Sequence, residues 1–391
     1  ATNPRGVAVN PITNKIYVTN RNGNSVTVID GATNSTTNVA VGTSPRAVAV
    51  NPVTNKIYVT NSGSGTVTVI DGATNGTTTV SAGTNPYAVA VNPVTNKIYV
   101  ANNGSDTVTV IDGVTHTPTT LSDGTDPIAV AVNPATNKIY VANSGDAINP
   151  GTVTVIDGAT HNTAAVAVGG YPVAIVVNPV TNKIYVANQS DSTVTVIDGT
   201  THSTAQVSVG SLPFALAVNS STNKIYVANN GNHTVTVIDG ATNLPTTVNV
   251  GTNPYAVAVN PVLNKIYVAN AGSGTATVIE GSTNLTTTIS VGTTPYAVAV
   301  NLVTHKVYVP NYSSANVTAI TPAQTWLAPL VVNIAPLPDN TSRSANPSFI
   351  LTPFDQYTPN QTRVHQVYYQ IDTWQGQWLT ATDANNNQWT A

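Results

Sequence analysis

Hydrophobic and polar positions along the first 320 residues fall into short runs of strand character separated by turn clusters, and the same arrangement returns at a fixed period. In the second copy the runs are 47–50 (AVAV), 56–60 (KIYVT), 66–70 (TVTVI) and 77–82 (TTTVSA). All are rich in Val, Ile, Thr and Tyr, which suit a pleated, half-buried surface, so each predicts a strand. Between them lie Asn51-Pro52-Val53-Thr54-Asn55, Asn61-Ser62-Gly63-Ser64-Gly65 and Asp71-Gly72-Ala73-Thr74-Asn75. Proline presets φ, glycine accepts positive φ, and Asn or Asp bonds its own backbone, so these segments predict turns. No window sustains a 3.6-residue apolar period, and helices should be nearly absent.

The period is read from Lys15, Lys56, Lys97, Lys138, Lys183, Lys224, Lys265 and Lys306, spaced by 41 residues except for 45 between Lys138 and Lys183. The longer step carries a short insertion at 146–151. Four short strands recurring every 40–45 residues are the sequence form of a propeller blade. The phrase Ile-Tyr-Val-Thr-Asn stands at 16–20 and 57–61, and Ile-Tyr-Val-Ala-Asn at 98–102, 139–143, 184–188, 225–229 and 266–270. Val-Ile-Asp-Gly first occurs at 28–31 and Ala-Val-Ala-Val-Asn at 47–51. On these motifs the chain resembles the YVTN-type β-propeller repeat proteins, which include archaeal and bacterial surface-layer and cell-surface antigens. The resemblance covers roughly residues 1–334. It implies an extracellular propeller and supplies no catalytic motif. The eighth copy departs most, with Val307-Tyr308-Val309-Pro310-Asn311 and then Ala319-Ile320-Thr321.

Eight first, second and third strands predict an all-β propeller of eight four-stranded antiparallel blades, with seven blades and a displaced unit as the alternative. The spacing in the other copies puts the outer strand of blade eight at 328–334 (APLVVNI), where Pro329 is tolerated at an edge. The ring then closes without a strand from the N-terminus. The expected domains are a propeller over 1–334, a Pro-containing linker over 335–346 and, over 347–391, an incomplete Ig-like β-sandwich. In that tail, strand patterns at 348–351, 364–371, 378–382 and 388–390 accompany Trp374, Trp378 and Trp389. It resembles the opening half of a bacterial Ig-like module, which needs about 100 residues. Its three tryptophans are expected to center a partial sandwich whose exposed edge seeks a partner strand.

Composition narrows the function classes. Charged residues make up 7% of the chain, the net charge is −3, and no basic stretch exists, which argues against nucleic-acid binding. No apolar run approaches the roughly 20 residues of a membrane span. Cysteine is absent, so no disulfide framework or thiolate chemistry is available. Methionine is absent even at position 1, an expected sign of a removed signal peptide and hence of an extracellular or cell-surface location.

Acids ending the third strands, Asp30, Asp71, Asp112, Asp157, Asp198, Asp239 and Glu280, invite a metal or catalytic reading. Aligning Tyr58 with Val69 in the strand 2–3 hairpin instead sets each acid opposite a lysine 15 residues earlier, or 19 in the longer copy, with Lys306 left unpaired. Such pairs are worth about 0.2–1 kcal/mol. His116, His161 and His202 hold one repeat position in consecutive blades, too far apart for the ~2 Å bonds of a shared zinc, and read as turn residues. Asn10, Asn51, Asn92, Asn133, Asn178, Asn219, Asn260 and Asn301 end the inner strands, also as turn residues. No catalytic set, metal site or cofactor is expected.

The repeats differ on one face. Strand 1–2 and 3–4 turns are monotonous, while the strand 2–3 loops and the inter-blade connections vary. After the connecting proline the copies place Arg5, Arg46, Tyr87, Ile128, Val173, Phe214, Tyr255 and Tyr296. The arc Tyr255, Tyr296, Arg5, Arg46, Tyr87 at a channel mouth is the expected ligand site, able to stack on sugars or hold an anionic group. The expected function is a non-enzymatic surface or adhesion propeller binding a protein or glycan on this face. The alternatives are a structural subunit, a homo-oligomer or polymer assembled through the C-terminal part, and an enzyme of lactonase or oxidoreductase type.

Overall fold

The computed structural model describes residues 2–122, 124–146 and 151–321, together with the backbone of five strands between 331 and 390. Contacts divide the chain into two compact units, residues 1–322 and 323–391.

The first unit is an eight-bladed propeller. Blade 1 runs Pro4–Asn10, Lys15–Asn20, Ser25–Asp30 and Thr36–Ala40, paired antiparallel in that order from the inner strand outward. Six further four-stranded blades begin at Pro45, Pro86, Pro127, Pro172, Pro213 and Pro254. Helix among the described residues is limited to the 3₁₀ turn Arg21–Gly23.

The eighth blade corrects the expectation. Among the described residues it shows three strands, Ala299–Val300, Val307–Asn311 and Asn316–Ile320. The segment placed as its outer strand is used elsewhere: Val331–Ile334 pairs antiparallel with Ile350–Phe354 in the second unit, while 328–330 lie outside the described residues. The offset that predicted it counts residues after the third strand and cannot tell which edge the next strand joins. The remaining tail strands are Val367–Tyr369, Leu379–Asp383 and Trp389–Thr390, and the order in the sheet is Val331, Ile350, Trp389, Leu379, Val367 by first residue. Trp374 and Trp378, expected at the center of this unit, lie outside the described residues.

The core lies between blades. Tyr17, Val26, Val28 and Val39 of blade 1 pack against Ile57, Val59 and Ile70 of blade 2, and the same set recurs around the ring. The second strand therefore reads as an unbroken buried run rather than an alternation, because a neighboring blade covers each of its faces. Tyr308 closes the circle by packing on Ile16, Val18 and Ile29. Among the described residues the seam shares no strand, since Pro4–Asn10 forms the inner strand of its own blade.

A second ring is polar. Each inner-strand asparagine is fully buried and donates from Nδ2 to the next blade, as in Asn10 to Asn55 Oδ1 at 2.8 Å and Asn301 to Asn14 Oδ1 at 2.7 Å. His305 takes the partner's place opposite Asn260. The same asparagine accepts from its own turn, as Val53 N–H to Asn51 Oδ1, which is the turn role read from the sequence. Asn14 and its equivalents sit at positive φ, and a Cβ on Gly31 would lie 2.2 Å from Asn14 Oδ1, so the Asp-Gly turn admits only glycine there.

Candidate ligand site at the channel mouth

Backbone hydrogen bonds separate the two faces. Gly72 N–H donates to Asn55 O, joining the 3–4 and 1–2 turns at one end. Gly63 N–H donates to Thr43 O, joining the 2–3 loop and the inter-blade connection at the other.

At the monotonous end, all seven hairpins hold the predicted register, Lys15 opposite Asp30 through Lys265 opposite Glu280. Four of the pairs close as ion pairs: Lys56–Asp71, Lys97–Asp112, Lys138–Asp157 and Lys265–Glu280. Lys15, Lys183 and Lys224 reach instead to the backbone carbonyls of Gly72, Gly240 and Gly281 in the next blade. Lys306 is not unpaired, because its ammonium donates to Gly31 O across the closing seam at 2.8 Å. The hydrogen bond from Lys56, then those from the Thr74 and Ala73 N–H groups, hold the Asp71 carboxyl well below the usual carboxylate range. In Asp30, turn N–H donors do most of this, the largest from Thr33. These acids are turn and rim groups. His116, His161 and His202 occupy positive-φ turn positions, where their backbones bond to Asp112, Asp157 and Asp198. Among the described residues no three His, Asp or Glu gather as metal ligands.

At the variable end, one cavity of about 590 Å³ is lined by all eight residues that follow the connecting prolines. Arg5, Arg46, Tyr87, Tyr255 and Tyr296, the arc read from the sequence, are therefore together. The aromatic faces are not open platforms. Phe214, Tyr255 and Tyr296 stack with centroids 4.1 and 4.3 Å apart, and Tyr312, which the sequence reading did not include, adds to the row at 5.8 Å from Tyr296. Arg5 Cζ stands 5.0 Å from the Tyr296 centroid and Arg46 Cζ 3.1 Å from that of Tyr87. Rings thus cover one another and the guanidinium planes, where the sequence reading expected faces free for sugars.

The hydrogen bonds have a direction. Arg5 Nη2 donates to Tyr296 Oη at 2.8 Å and Tyr255 Oη donates to the same oxygen at 2.7 Å. With two donors received, the Tyr296 hydroxyl keeps its own hydrogen to give. Burial, and then the bond to Tyr296, push the Tyr255 pKa up. Burial lowers Arg46 to about 10, with the Arg5 charge as the next cause, so it remains cationic at neutral pH. No Asp or Glu lines the cavity among the described residues.

Two threonines fix the backbone here. Thr19 Oγ1 accepts from Gly6 N–H at 2.8 Å and donates to Arg46 O at 3.0 Å, while Thr60 Oγ1 accepts from Ala47 N–H at 3.0 Å. These hydroxyls stand where strand pairing lapses between Pro4 and Val7 and between Pro45 and Val48. In blade 4, with Ala142 at that position, Ala129 pairs with it directly. The two copies spelled Ile-Tyr-Val-Thr-Asn are the two that carry an arginine at the mouth. That coincidence was visible in the sequence, but its meaning needed the bond.

No protein-family model matches the chain, and no curated protein matches it. Among solved structures it is similar to Kuenenia stuttgartiensis hydrazine synthase, with TM-score 0.60 and 21% identity over 82% of this chain and 96% of that one. A functionally unknown protein from Desulfotomaculum acetoxidans matches with TM-score 0.57 and 15% identity over 72% of this chain and 98% of that one. Saccharomyces cerevisiae Sqt1 matches with TM-score 0.70 and 8% identity over 82% and 96%. Identities this low establish a shared fold and nothing about ligands.

Proposed function

We propose that this chain is a non-enzymatic, extracellular binding propeller of the YVTN type that takes a protein or glycan ligand at its channel mouth. One observation supports the reading most directly: the eight residues at which the repeats differ line a single cavity, whereas the opposite end repeats the same turns. A cavity of about 590 Å³ falls within the range of roughly 300–1,000 Å³ usual for ligand sites. The test is a glycan-array and surface-adhesion comparison of the wild type with Val173→Trp, which fills the cavity, and with Val114→Lys, an exposed position on the opposite end. Val173→Trp is expected to abolish binding and Val114→Lys to leave it unchanged. Binding that survives Val173→Trp overturns the site.

A second reading, a subunit of a surface layer or fiber joined through the C-terminal part, is favored by the tail sheet. Val331–Ile334 and Val367–Tyr369 each pair on one side only among the described residues, and unpaired edges invite strand addition. Light scattering across a hundredfold concentration range should then show growing particles; a constant monomer mass would refute it.

A further inference from the structure

We infer that the channel mouth binds the carboxylate of an acidic sugar through Arg5, Arg46 and the Tyr296 hydroxyl, and that Thr19 and Thr60 position the two arginines. The inference rests on the proposed binding function and specifies its ligand.

Charge supply comes first. The propeller contains three arginines, Arg5, Arg21 and Arg46, and all lie near enough for the charges of Arg5 and Arg21 to act on Arg46. Arginines gathered at a protein surface are ordinarily matched by carboxylates. Here the cationic planes rest on tyrosine faces, Arg46 on Tyr87 and Arg5 on Tyr296. A π-face steadies a guanidinium without neutralizing it and leaves the N–H edges available. The cluster is held in place and still carries its full charge.

Hydrogen-bond polarity points the same way. Tyr296 Oη receives from Arg5 and Tyr255, so what it offers the cavity is a donor. Guanidinium edges are donors only. An arrangement of two cations and a hydroxyl donor, with no Asp or Glu lining the cavity among the described residues, fits a planar group carrying several acceptors and a negative charge. A carboxylate provides this and accepts a guanidinium in bidentate fashion.

Shape selects the rest of the ligand. The mouth is ringed by residues of all eight blades, and its volume suits one or two sugar rings better than an extended chain crossing the face. Walls of Val7, Ala47, Val48 and Leu216 meet apolar ring edges, and Gln189 adds a polar contact for hydroxyls.

Position depends on the threonines. Thr19 ties Gly6, the residue after Arg5, to the carbonyl of Arg46 across two blades, and Thr60 holds the residue after Arg46. Neither threonine lines the cavity, so their effect reaches the ligand through the arginine backbones. A Cβ on Gly6 would sit 2.8 Å from Arg46 O, so a side chain there would push the two strands apart.

The experiment is calorimetric titration of the purified protein with glucuronate, with glucose and with hexaglutamate. Glucuronate should bind at least tenfold more tightly than glucose. Arg5→Ala/Arg46→Ala should weaken glucuronate at least tenfold at an unchanged Tm, with Arg5→Gln alone serving where the double variant fails to fold. Thr19→Ala/Thr60→Ala should weaken it severalfold, and Thr19→Ser/Thr60→Ser, which keeps both hydroxyls, should restore it. Equal binding of glucose and glucuronate would overturn the charge argument while leaving the mouth a binding site. Hexaglutamate bound in preference to glucuronate would overturn the sugar, and binding of none of the three would overturn the inference. The broader reading fails separately, when a ligand is found whose binding ignores Val173→Trp.

Discussion

Replacing Tyr185 with alanine will cost the propeller about 3–5 kcal/mol, the range for removing a buried aromatic ring. Tyr185 is fully buried and packs with Val194, Val196 and Val207 of its own blade against Leu216, Ile225, Val227 and Ile238 of the next. Close-packed strands on both sides cannot collapse into the hole, so the loss combines transfer and cavity terms. Tyr185→Phe should stay within about 1 kcal/mol of wild type, because the hydroxyl has no hydrogen-bond partner in the protein. Thermal unfolding separates the two. Alanine should lower the Tm by roughly 4–7 °C, given the unfolding entropy of a chain this size. A phenylalanine variant as damaged as the alanine variant would show that the hydroxyl, not the ring, carries the contribution.

Raising the pH past 10 should unfold the ring in one steep step. Burial, the largest cause, pushes Tyr17, Tyr58, Tyr99, Tyr140, Tyr185, Tyr226 and Tyr267 up to about 12, and all but Tyr226 also feel a nearby carboxylate. An unfolded tyrosine ionizes near pH 10. The folded pKa is the higher, so the stabilization is complete below 10 and is lost as pH rises toward 12. Seven equivalent groups release protons on the same event, which makes the dependence steep. Tyrosinate absorbance at 295 nm and the far-UV circular dichroism should therefore change together between pH 10 and 12. Core tyrosines that ionize while the sheet signal stays intact would contradict this.

Residues that interact within one blade could be read from the chain, and those that interact between blades could not. The 15-residue offset from Lys56 to Asp71 is a property of one hairpin, and the register follows it in every copy with a third-strand acid, with the insertion stretching it to 19 at Lys138. The choice of Lys15 and Lys306 to cross to the next blade's glycine carbonyl depends on a neighbor 57 residues ahead in one case and at the other end of the chain in the second. Asn51 was half readable: its Oδ1 serves its own turn, while its Nδ2 serves Asn96 of the next blade. At the mouth, the variable position identified the residues, and the ring placed them side by side. Their side-chain geometry was not readable, because whether a tyrosine face is open or covered depends on which residue the neighboring blade contributes.

The arc also has a timetable. Arg5 precedes Tyr296, the residue it bonds, by 291 positions, whereas Arg46 rests on Tyr87 in the next blade. No segment of the propeller short of the eighth blade holds both halves of the mouth, and none has the seam where Tyr308 meets Ile16. A nascent, truncated or clipped ring presents Arg5 without Tyr296, while Arg46 keeps Tyr87. The complete mouth is therefore a property of the closed ring, assembled when the eighth blade packs on the first.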